Sequence, residues 1–300
     1  MPALPHAVRY PLPTAATPSA VNWVLDPDRA ALLVHDMQTY FLAAFDHGAD
    51  PYRSLVANVG TAVRWARSAG APILASAQPG GQNPRVRGLL TDFWGPGLPA
   101  DPALVATDPA LTDLLDAEPP AVRLTKHRYS AALGTGLLDR LREAGRDQLV
   151  ITGVYAGIGC LATALDAFMA DVQPFVIADA VADFAEADHL AALEFVARRC
   201  GAVVLTSDLD VHAVPTQRDW RGFLVAQVRL LVGDPGLTPD GDVDLVNYGL
   251  DSVRSLTLID RIDAAGRRLD MIDLLAHPTL DTLAAAIEAC DAHPVVPART

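Results

Sequence analysis

The sequence predicts an α/β fold for the first two-thirds of the chain, a three-layer Rossmann-like parallel sheet, followed by a small all-α domain of four helices. Short apolar runs alternate with helical patterns up to residue 208, and only helical patterns follow residue 222. The charge distribution changes at the same place. Residues 222–300 hold 6 Lys and Arg against 12 Asp and Glu, whereas residues 1–221 hold 17 against 24.

Six apolar runs are the predicted strands, and most are nearly continuous, as expected of strands buried on both faces. They cover residues 31–37, 72–78, 121–126, 148–154, 174–179 and 202–206. Between them, apolar residues at helical spacing predict helices that pack on the sheet. The three faces are Tyr52, Val56, Val59 and Val63; Leu161, Ala164, Leu165, Phe168 and Met169; and Leu190, Leu193 and Val196.

The final part of the chain reads as a small helical bundle. One predicted helix carries Val253, Leu256, Ile259 and Ile262 and ends at a Gly266 C-cap, and another follows Pro278 with Leu280, Leu283, Ala284 and Ile287. We predict a first domain at residues 1–208, a linker at 209–221, a second domain at 222–292 and a tail at 293–300.

Composition excludes several classes of protein. The 300 residues are 51% hydrophobic and contain no apolar run of about 18 residues, which argues against disorder and against a membrane span. A net charge of −13 argues against nucleic acid or an anionic membrane as partner. Cys160, Cys200 and Cys290 are too few and too scattered for a disulfide scaffold or a thiolate metal site. With no recognisable signal peptide, we expect a cytoplasmic protein.

Candidate site residues follow the predicted strands, where ligands bind in parallel sheets. Asp36 follows the first strand and Lys126 ends the third. Asp36 is either a general acid or base, or else a helix N-cap or a turn residue. Lys126 is either a buried cation for an anionic substrate or part of a surface cluster.

A glycine-rich turn follows the fourth strand and leads into a helix. Gly153, Gly157 and Gly159 allow close backbone approach, and the helix N-terminus offers N–H groups to an anion. Cys160 at this position is either a nucleophile with a lowered pKa or a small buried apolar residue. In the tail, Ser252 precedes an apolar helix, as a cap or as a site for a phosphodiester.

Seven segments together resemble a known family. They are HDMQ (35–38), AQP (77–79), DFWGPGL (92–98), KHRYSA (126–131), GRDQLVITGVYA (145–156), DVQPFVIADAVADF (171–184) and GLDSV (249–253). In this order they resemble the bifunctional isochorismatase/aryl carrier proteins of enterobactin-like siderophore biosynthesis. The resemblance runs from Trp23 to Ala289 and implies an isochorismatase-like fold followed by an aryl carrier domain.

The resemblance implies hydrolysis of the enolpyruvyl ether of isochorismate to 2,3-dihydro-2,3-dihydroxybenzoate and pyruvate, without a metal or redox cofactor. It also implies 4'-phosphopantetheine bound covalently to Ser252. The implied partners are a phosphopantetheinyl transferase, an aryl-adenylating enzyme, a condensation domain and a second copy of the chain. The family's site residues map onto Asp36 as proton donor and Lys126 beside it, with Gln78, Arg87, Tyr155, Gly159, Phe41 and Trp94 around the substrate.

The sequence departs from the family pattern at Gly157, where relatives usually carry histidine. We expect this change to open space and remove a hydrogen-bond donor beside the substrate. His127 also replaces a tryptophan common in the family.

Three alternatives remain at this point. The same reaction on 2-amino-2-deoxyisochorismate differs only by an amine. A nicotinamidase-like amidase would use Asp36, Lys126 and Cys160 as its triad, although Asp46, His47 and Asp50 do not reproduce the metal-binding segment of those enzymes. The first domain could also be an inactive scaffold that presents the carrier.

Overall fold

The computed structural model describes residues 4–209, 220–234, 236–264 and 267–289. The chain divides into two compact units, Met1–Leu209 and Asp210–Thr300. Each unit has its own apolar core, as a domain that folds around one hydrophobic interior requires.

The first unit contains one sheet of six strands that pair in parallel in the order β3-β2-β1-β4-β5-β6. The predicted parallel α/β fold is confirmed. The strands are β1 (Ala30–His35), β2 (Ile73–Ala77), β3 (Val122–Thr125), β4 (Gln148–Val154), β5 (Gln173–Ala182) and β6 (Ala202–Val204). The order reverses between β1 and β4, and ligands of doubly wound sheets bind at such a point.

Nine α-helices connect these strands in the described part of the first unit. They are α1 (Thr39–Leu42), α2 (Tyr52–Ser68), α3 (Pro84–Arg87), α4 (Leu90–Trp94), α5 (Pro102–Val105), α6 (Pro109–Asp116), α7 (Leu137–Glu143), α8 (Leu161–Met169) and α9 (Glu186–Arg199). A π-helix at Ala156–Cys160 leads directly into α8, and a 3-10 turn at Thr206–Asp208 follows β6.

The sheet is covered by apolar residues on both faces. Alternate residues of β1 enter different cores: Leu32 and Val34 belong to one, and Ala31 and Leu33 to the other. Every residue of β1 and β4 is buried. This double burial explains why the central strands read as continuous apolar runs.

Three residues of two predicted helical faces are less buried than the spacing suggested. At the end of α8, Phe168 is 42% and Met169 79% exposed, and Leu190 on α9 is 46% exposed. These positions lie at the edge of helical stripes whose centres, such as Leu193, face the sheet. The prediction that they belong to the packed face was wrong, because the apolar pattern extends beyond the part of each helix that the sheet covers.

The second unit is helical in its described part. Its helices are α10 (Trp220–Val232), α11 (Ser252–Ala264), α12 (Met271–Ala276) and α13 (Leu280–Ala289), with a 3-10 turn at Leu245–Tyr248. Trp220 is 2% exposed and belongs to the core, so a helix begins within the linker predicted for residues 209–221. Leu209, the first residue of that linker, packs in the core of the first unit. Residues 210–219, the Gly266 C-cap, Cys290 and the predicted tail lie outside the described residues.

Within the described ranges, no helix is both long enough and apolar enough to cross a membrane.

Candidate active site

A cavity of about 280 Å³ lies at the carboxyl edge of the sheet in the first unit. Its wall receives side chains from residues that follow successive strands: Asp36 after β1, Gln78 after β2, Lys126 after β3 and Tyr155 after β4. Because the carboxyl ends of parallel strands meet at one edge, positions distant in sequence converge here.

The eight residues predicted for catalysis and substrate binding all line this cavity. They are Asp36, Phe41, Gln78, Arg87, Trp94, Lys126, Tyr155 and Gly159. The structure therefore brings the whole predicted set together in one place.

Asp36 is held by three side-chain contacts. Its carboxylate accepts a hydrogen bond from Ser76 Oγ to Oδ1 at 2.7 Å, and its Oδ2 lies 2.7 Å from Lys126 Nζ and 3.4 Å from Gln78 Nε2. The residue is 3% exposed and has a positive φ of 49°. It does not cap the following helix, whose N-cap is Gln38. The alternative of a capping residue is therefore wrong.

Lys126 and Asp36 form a buried ion pair. Besides Asp36, Lys126 Nζ donates to the main-chain oxygens of Arg128 at 3.0 Å and Tyr129 at 3.1 Å. Three acceptors match the three donors of an ammonium group, so the geometry describes a charged lysine. Its side chain is 1% exposed, which excludes the surface-cluster alternative.

The pKa of the Asp36 carboxyl reflects two opposing effects. Burial acts to raise this pKa, but the charge of Lys126 and the hydrogen bonds from Lys126 and Ser76 outweigh it and hold the pKa below its ordinary value. Asp36 is therefore ionised in the ligand-free site at neutral pH.

His35 lies behind Asp36 with both ring nitrogens facing main-chain oxygens. Nδ1 is 2.8 Å from the oxygen of Val154, and Nε2 is 3.3 Å from that of Tyr129. Burial lowers the pKa of His35 to about 4, so the ring is neutral near pH 7. Gly159 makes room for this ring, since a Cβ there would lie 2.2 Å from Cε1 of His35.

Arg87 supplies a second cation to the cavity wall. The residue is 3% exposed, and its Nε donates to the Gly95 oxygen at 2.6 Å. Its Nη1 is buried and has no hydrogen-bond partner among the described residues. Gly97 has a φ of 78°, and a Cβ there would lie 2.4 Å from Nη1, so only glycine leaves space for the guanidinium.

Aromatic rings form another part of the cavity wall. Tyr155 donates its hydroxyl to the Phe41 oxygen at 2.6 Å, and its ring lies 4.1 Å from Phe184 and 5.9 Å from Phe41 between centroids. Trp94 Nε1 donates to the Tyr129 hydroxyl at 2.7 Å. Such a wall suits an unsaturated ring whose polar groups face the other side of the cavity.

Gly157 does not line the cavity. Its main-chain N–H donates to Asp183 Oδ2, and a Cβ there would point at the same oxygen from 3.0 Å. The expectation that this glycine opens space beside the substrate has no support in the structure, because Gly157 is not among the residues that line the cavity.

Cys160 is fully buried and does not line the cavity. Burial, together with the negative charges of Asp36 and Asp183, raises the pKa of the Cys160 thiol well above its ordinary value. The expectation of a lowered pKa at a helix N-terminus was therefore wrong, and the residue packs as a small apolar side chain.

Ser252 is exposed at the first position of α11. Asp251 provides the cap instead, because its Oδ1 accepts from the main-chain nitrogens of Val253 at 3.1 Å and Arg254 at 2.9 Å. The capping alternative for Ser252 was wrong, and its hydroxyl is accessible for modification.

Sequence reasoning missed several residues of the cavity wall, among them His35, Tyr40, Tyr129 and Phe184. His35, Tyr129 and Phe184 lie inside motifs already quoted for the resemblance, but nothing in their spacing separated them from neighbours with structural roles. Among the described residues, no group of three or more His, Cys, Asp or Glu side chains could hold a metal ion.

Comparison with known families agrees with this architecture. The isochorismatase domain matches residues 30–208, and the phosphopantetheine attachment site matches residues 223–287. The chain belongs to the isochorismatase family. The resemblance seen in the sequence is confirmed, and the second unit is a phosphopantetheine-binding domain.

Three relatives show how far the similarity to other family members extends. The isochorismatase of Bacillus subtilis is 41% identical over 93% of both chains. Enterobactin synthase component B of Escherichia coli K12 is 38% identical over 93% of this chain and 96% of its own. Phenazine biosynthesis protein PhzD1 of Pseudomonas aeruginosa is 47% identical over 70% of this chain and 99% of its own. The first two relatives match both units of this chain.

The buried thiols give a testable consequence of the geometry. In a Cys290→Ser variant, we expect Cys160 and Cys200 to react with iodoacetamide at pH 8 at least about 100-fold more slowly than a free cysteine peptide, because burial suppresses the thiolate. Mass spectrometry of the folded chain measures this, and labelling in 6 M guanidinium is the control. Rapid labelling of folded Cys160 would contradict the buried assignment and favour the amidase alternative.

Proposed function

We propose that the first unit hydrolyses the enolpyruvyl ether of isochorismate to 2,3-dihydro-2,3-dihydroxybenzoate and pyruvate. The second unit then carries an aryl acid as a phosphopantetheine thioester on Ser252. The observation that carries the first part is the Asp36 carboxyl, held by Lys126 at 2.7 Å in a cavity that Arg87 also lines. The two full-length relatives support the same assignment.

A vinyl ether hydrolyses when its terminal methylene takes up a proton. The Asp36 carboxyl gives this proton to carbon, and the electron pair of the double bond forms the new C–H bond, which leaves an oxocarbenium ion. Water adds to that ion and returns a proton to Asp36. The resulting hemiketal collapses, breaking its bond to the ring oxygen, and releases pyruvate and the ring alcohol.

Both oxygens of Asp36 accept hydrogen bonds in the ligand-free site. Ser76 donates to Oδ1, and Lys126 and Gln78 face Oδ2. The carboxyl must therefore give up one of these contacts when it takes up the proton that it transfers to carbon.

The substrate itself makes Asp36 a usable acid. In the ligand-free site the charge of Lys126 keeps the carboxyl ionised. Isochorismate brings two carboxylates, which offset the positive charges of Lys126 and Arg87 and raise the pKa of Asp36 on binding. Arg87, which lines the cavity and has an unpartnered Nη1 among the described residues, is the proposed donor for one of them.

The second unit fits its covalent group at Ser252. The hydroxyl is exposed at a helix start whose capping is done by Asp251, so modification leaves the helix intact. Phosphopantetheine supplies a flexible arm that ends in a thiol, which holds the aryl acid as a thioester. A phosphopantetheinyl transferase, an aryl-adenylating enzyme and a condensation domain are the partners this requires.

We place the reaction in the cytoplasm and expect the chain to act as a homodimer.

The remaining alternatives have less support. The amidase alternative needs an accessible thiolate, whereas Cys160 is buried away from the cavity. The inactive-scaffold alternative conflicts with a cavity in which all eight expected residues are present. No observation favours 2-amino-2-deoxyisochorismate over isochorismate.

An Asp36→Asn variant tests the acid directly. Pyruvate release from isochorismate, followed with lactate dehydrogenase, is expected to fall by about 10²–10⁴-fold, the contribution typical of a positioned acid, while substrate still binds. Cys160→Ala is the matched control and is expected to keep activity near the wild-type level. Turnover by Asp36→Asn at the wild-type rate would refute the mechanism, and a wild-type preference for 2-amino-2-deoxyisochorismate would change the substrate.

The pH profiles report how substrate binding changes the pKa of Asp36. The protonated, active form disappears as the pH rises through this pKa, which is low in the free enzyme and raised in the complex. We therefore expect kcat to persist to a higher pH than kcat/KM, since kcat reports the complex and kcat/KM the free enzyme. Basic limbs that coincide in the two profiles would show that the substrate does not raise the pKa.

Ser252→Ala tests the carrier. With coenzyme A and a phosphopantetheinyl transferase, wild-type chain is expected to gain the mass of one phosphopantetheine, and the variant none. Ser255→Ala, at a serine that is 8% exposed, is the matched control and should be modified normally. Pyruvate release should stay unchanged in both. Modification of the Ser252→Ala chain would place the attachment site elsewhere.

A further inference from the structure

Asp183 is a buried carboxylate that the reaction described above does not use. It comes directly after β5 and is 2% exposed. Its Oδ1 accepts from the main-chain nitrogen of Phe184 at 2.8 Å, and its Oδ2 accepts from that of Gly157 at 2.5 Å. Its own main-chain nitrogen donates to the Tyr10 hydroxyl at 2.7 Å, and its main-chain oxygen accepts from that hydroxyl at 3.2 Å.

The two segments joined by this carboxylate both form the cavity wall. Gly157 lies in the turn that carries Tyr155 and Gly159, and Phe184 is a wall residue itself. The rings of Tyr155 and Phe184 pack at 4.1 Å between centroids, and Phe184 lies 5.9 Å from Trp94. One carboxylate therefore connects the main chain behind two neighbouring aromatic rings.

Only a carboxylate satisfies this arrangement. Each oxygen faces an N–H donor, and an asparagine has one acceptor oxygen, so its NH₂ group would face one of those donors. No Lys or Arg of the described residues forms an ion pair with Asp183. Its hydrogen bonds are thus made with the main-chain N–H groups of Gly157 and Phe184, which act against the rise in the pKa of this carboxyl that burial causes.

We propose that Asp183 is a positioning residue for the aromatic wall: by joining the main chain at Gly157 and Phe184 it sets the spacing of Tyr155 and Phe184, and so the fit of the substrate ring. This inference rests on the proposed vinyl-ether hydrolysis for its effect on turnover. The acid, Asp36, is held by other contacts, so loss of the link at Asp183 weakens substrate binding more than proton transfer.

The test compares Asp183→Asn with Asp179→Asn. Asp179 is a carboxylate of the same strand that also accepts from the main chain, at the nitrogen of Thr206 at 2.7 Å, but it does not line or brace the cavity wall. We expect Asp183→Asn to raise KM for isochorismate by about tenfold with kcat within about threefold of wild type, the pattern of lost binding. Asp179→Asn should leave KM unchanged. Tyr10→Phe, which removes the hydroxyl bonded to the main chain of Asp183, should raise KM by a smaller factor.

A second readout does not depend on activity. Hydrogen exchange followed by mass spectrometry is expected to show exchange at least about tenfold faster in peptides spanning 155–160 and 183–185 of Asp183→Asn, and no change there in Asp179→Asn. Unchanged exchange in Asp183→Asn would overturn the proposal, as would faster exchange with an unchanged KM. If wild-type chain releases no pyruvate from isochorismate, the proposed function fails, and the exchange data decide whether Asp183 braces the wall.

Discussion

The buried pair of Lys126 and Asp36 is the constraint on which the site depends. Removing two charges from water is costly unless each is fully hydrogen-bonded, and truncating one leaves the other uncompensated. The chain meets this requirement with main-chain oxygens around Lys126 and with the hydroxyl of Ser76 on Asp36. The loop after β3 and the end of β2 must therefore keep their shape. The same contacts that stabilise the pair also fix where the acid points.

The strand order explains how so few elements build the site. With β2, β1 and β4 adjacent, the residues that follow them arrive within contact distance without long loops. Two glycines make room for buried side chains here, since Gly159 leaves space for His35 of β1 and Gly97 for Arg87 of α3. A cavity lined by two cations and several aromatic rings follows from this packing. Tyr129 links the two sets, since its main-chain oxygen accepts from Lys126 and its hydroxyl from Trp94.

The sequence alone predicted the parallel sheet, because central strands such as β4 bury both faces and read as continuous apolar runs. It also placed all eight proposed site residues, largely through family resemblance. It could not predict the environment of Cys160, whose depth depends on how α8 packs, nor the direction of Gly157, which depends on a π-helical turn. The main-chain contacts of Tyr129 and Phe184 could not be predicted either. Every residue type carries a main-chain oxygen, so the type of a residue does not indicate which contacts its main chain makes.

The separate apolar cores of the two units carry an evolutionary consequence. A gene fused or split between residues 209 and 220 interrupts no core, since Leu209 belongs to the first and Trp220 to the second. A single recombination event between these residues therefore adds or removes the carrier domain and leaves the apolar core of the hydrolase domain intact. The match to the relative PhzD1 covers 99% of that protein but only 70% of this chain. This is the coverage expected of a relative that matches the first unit alone.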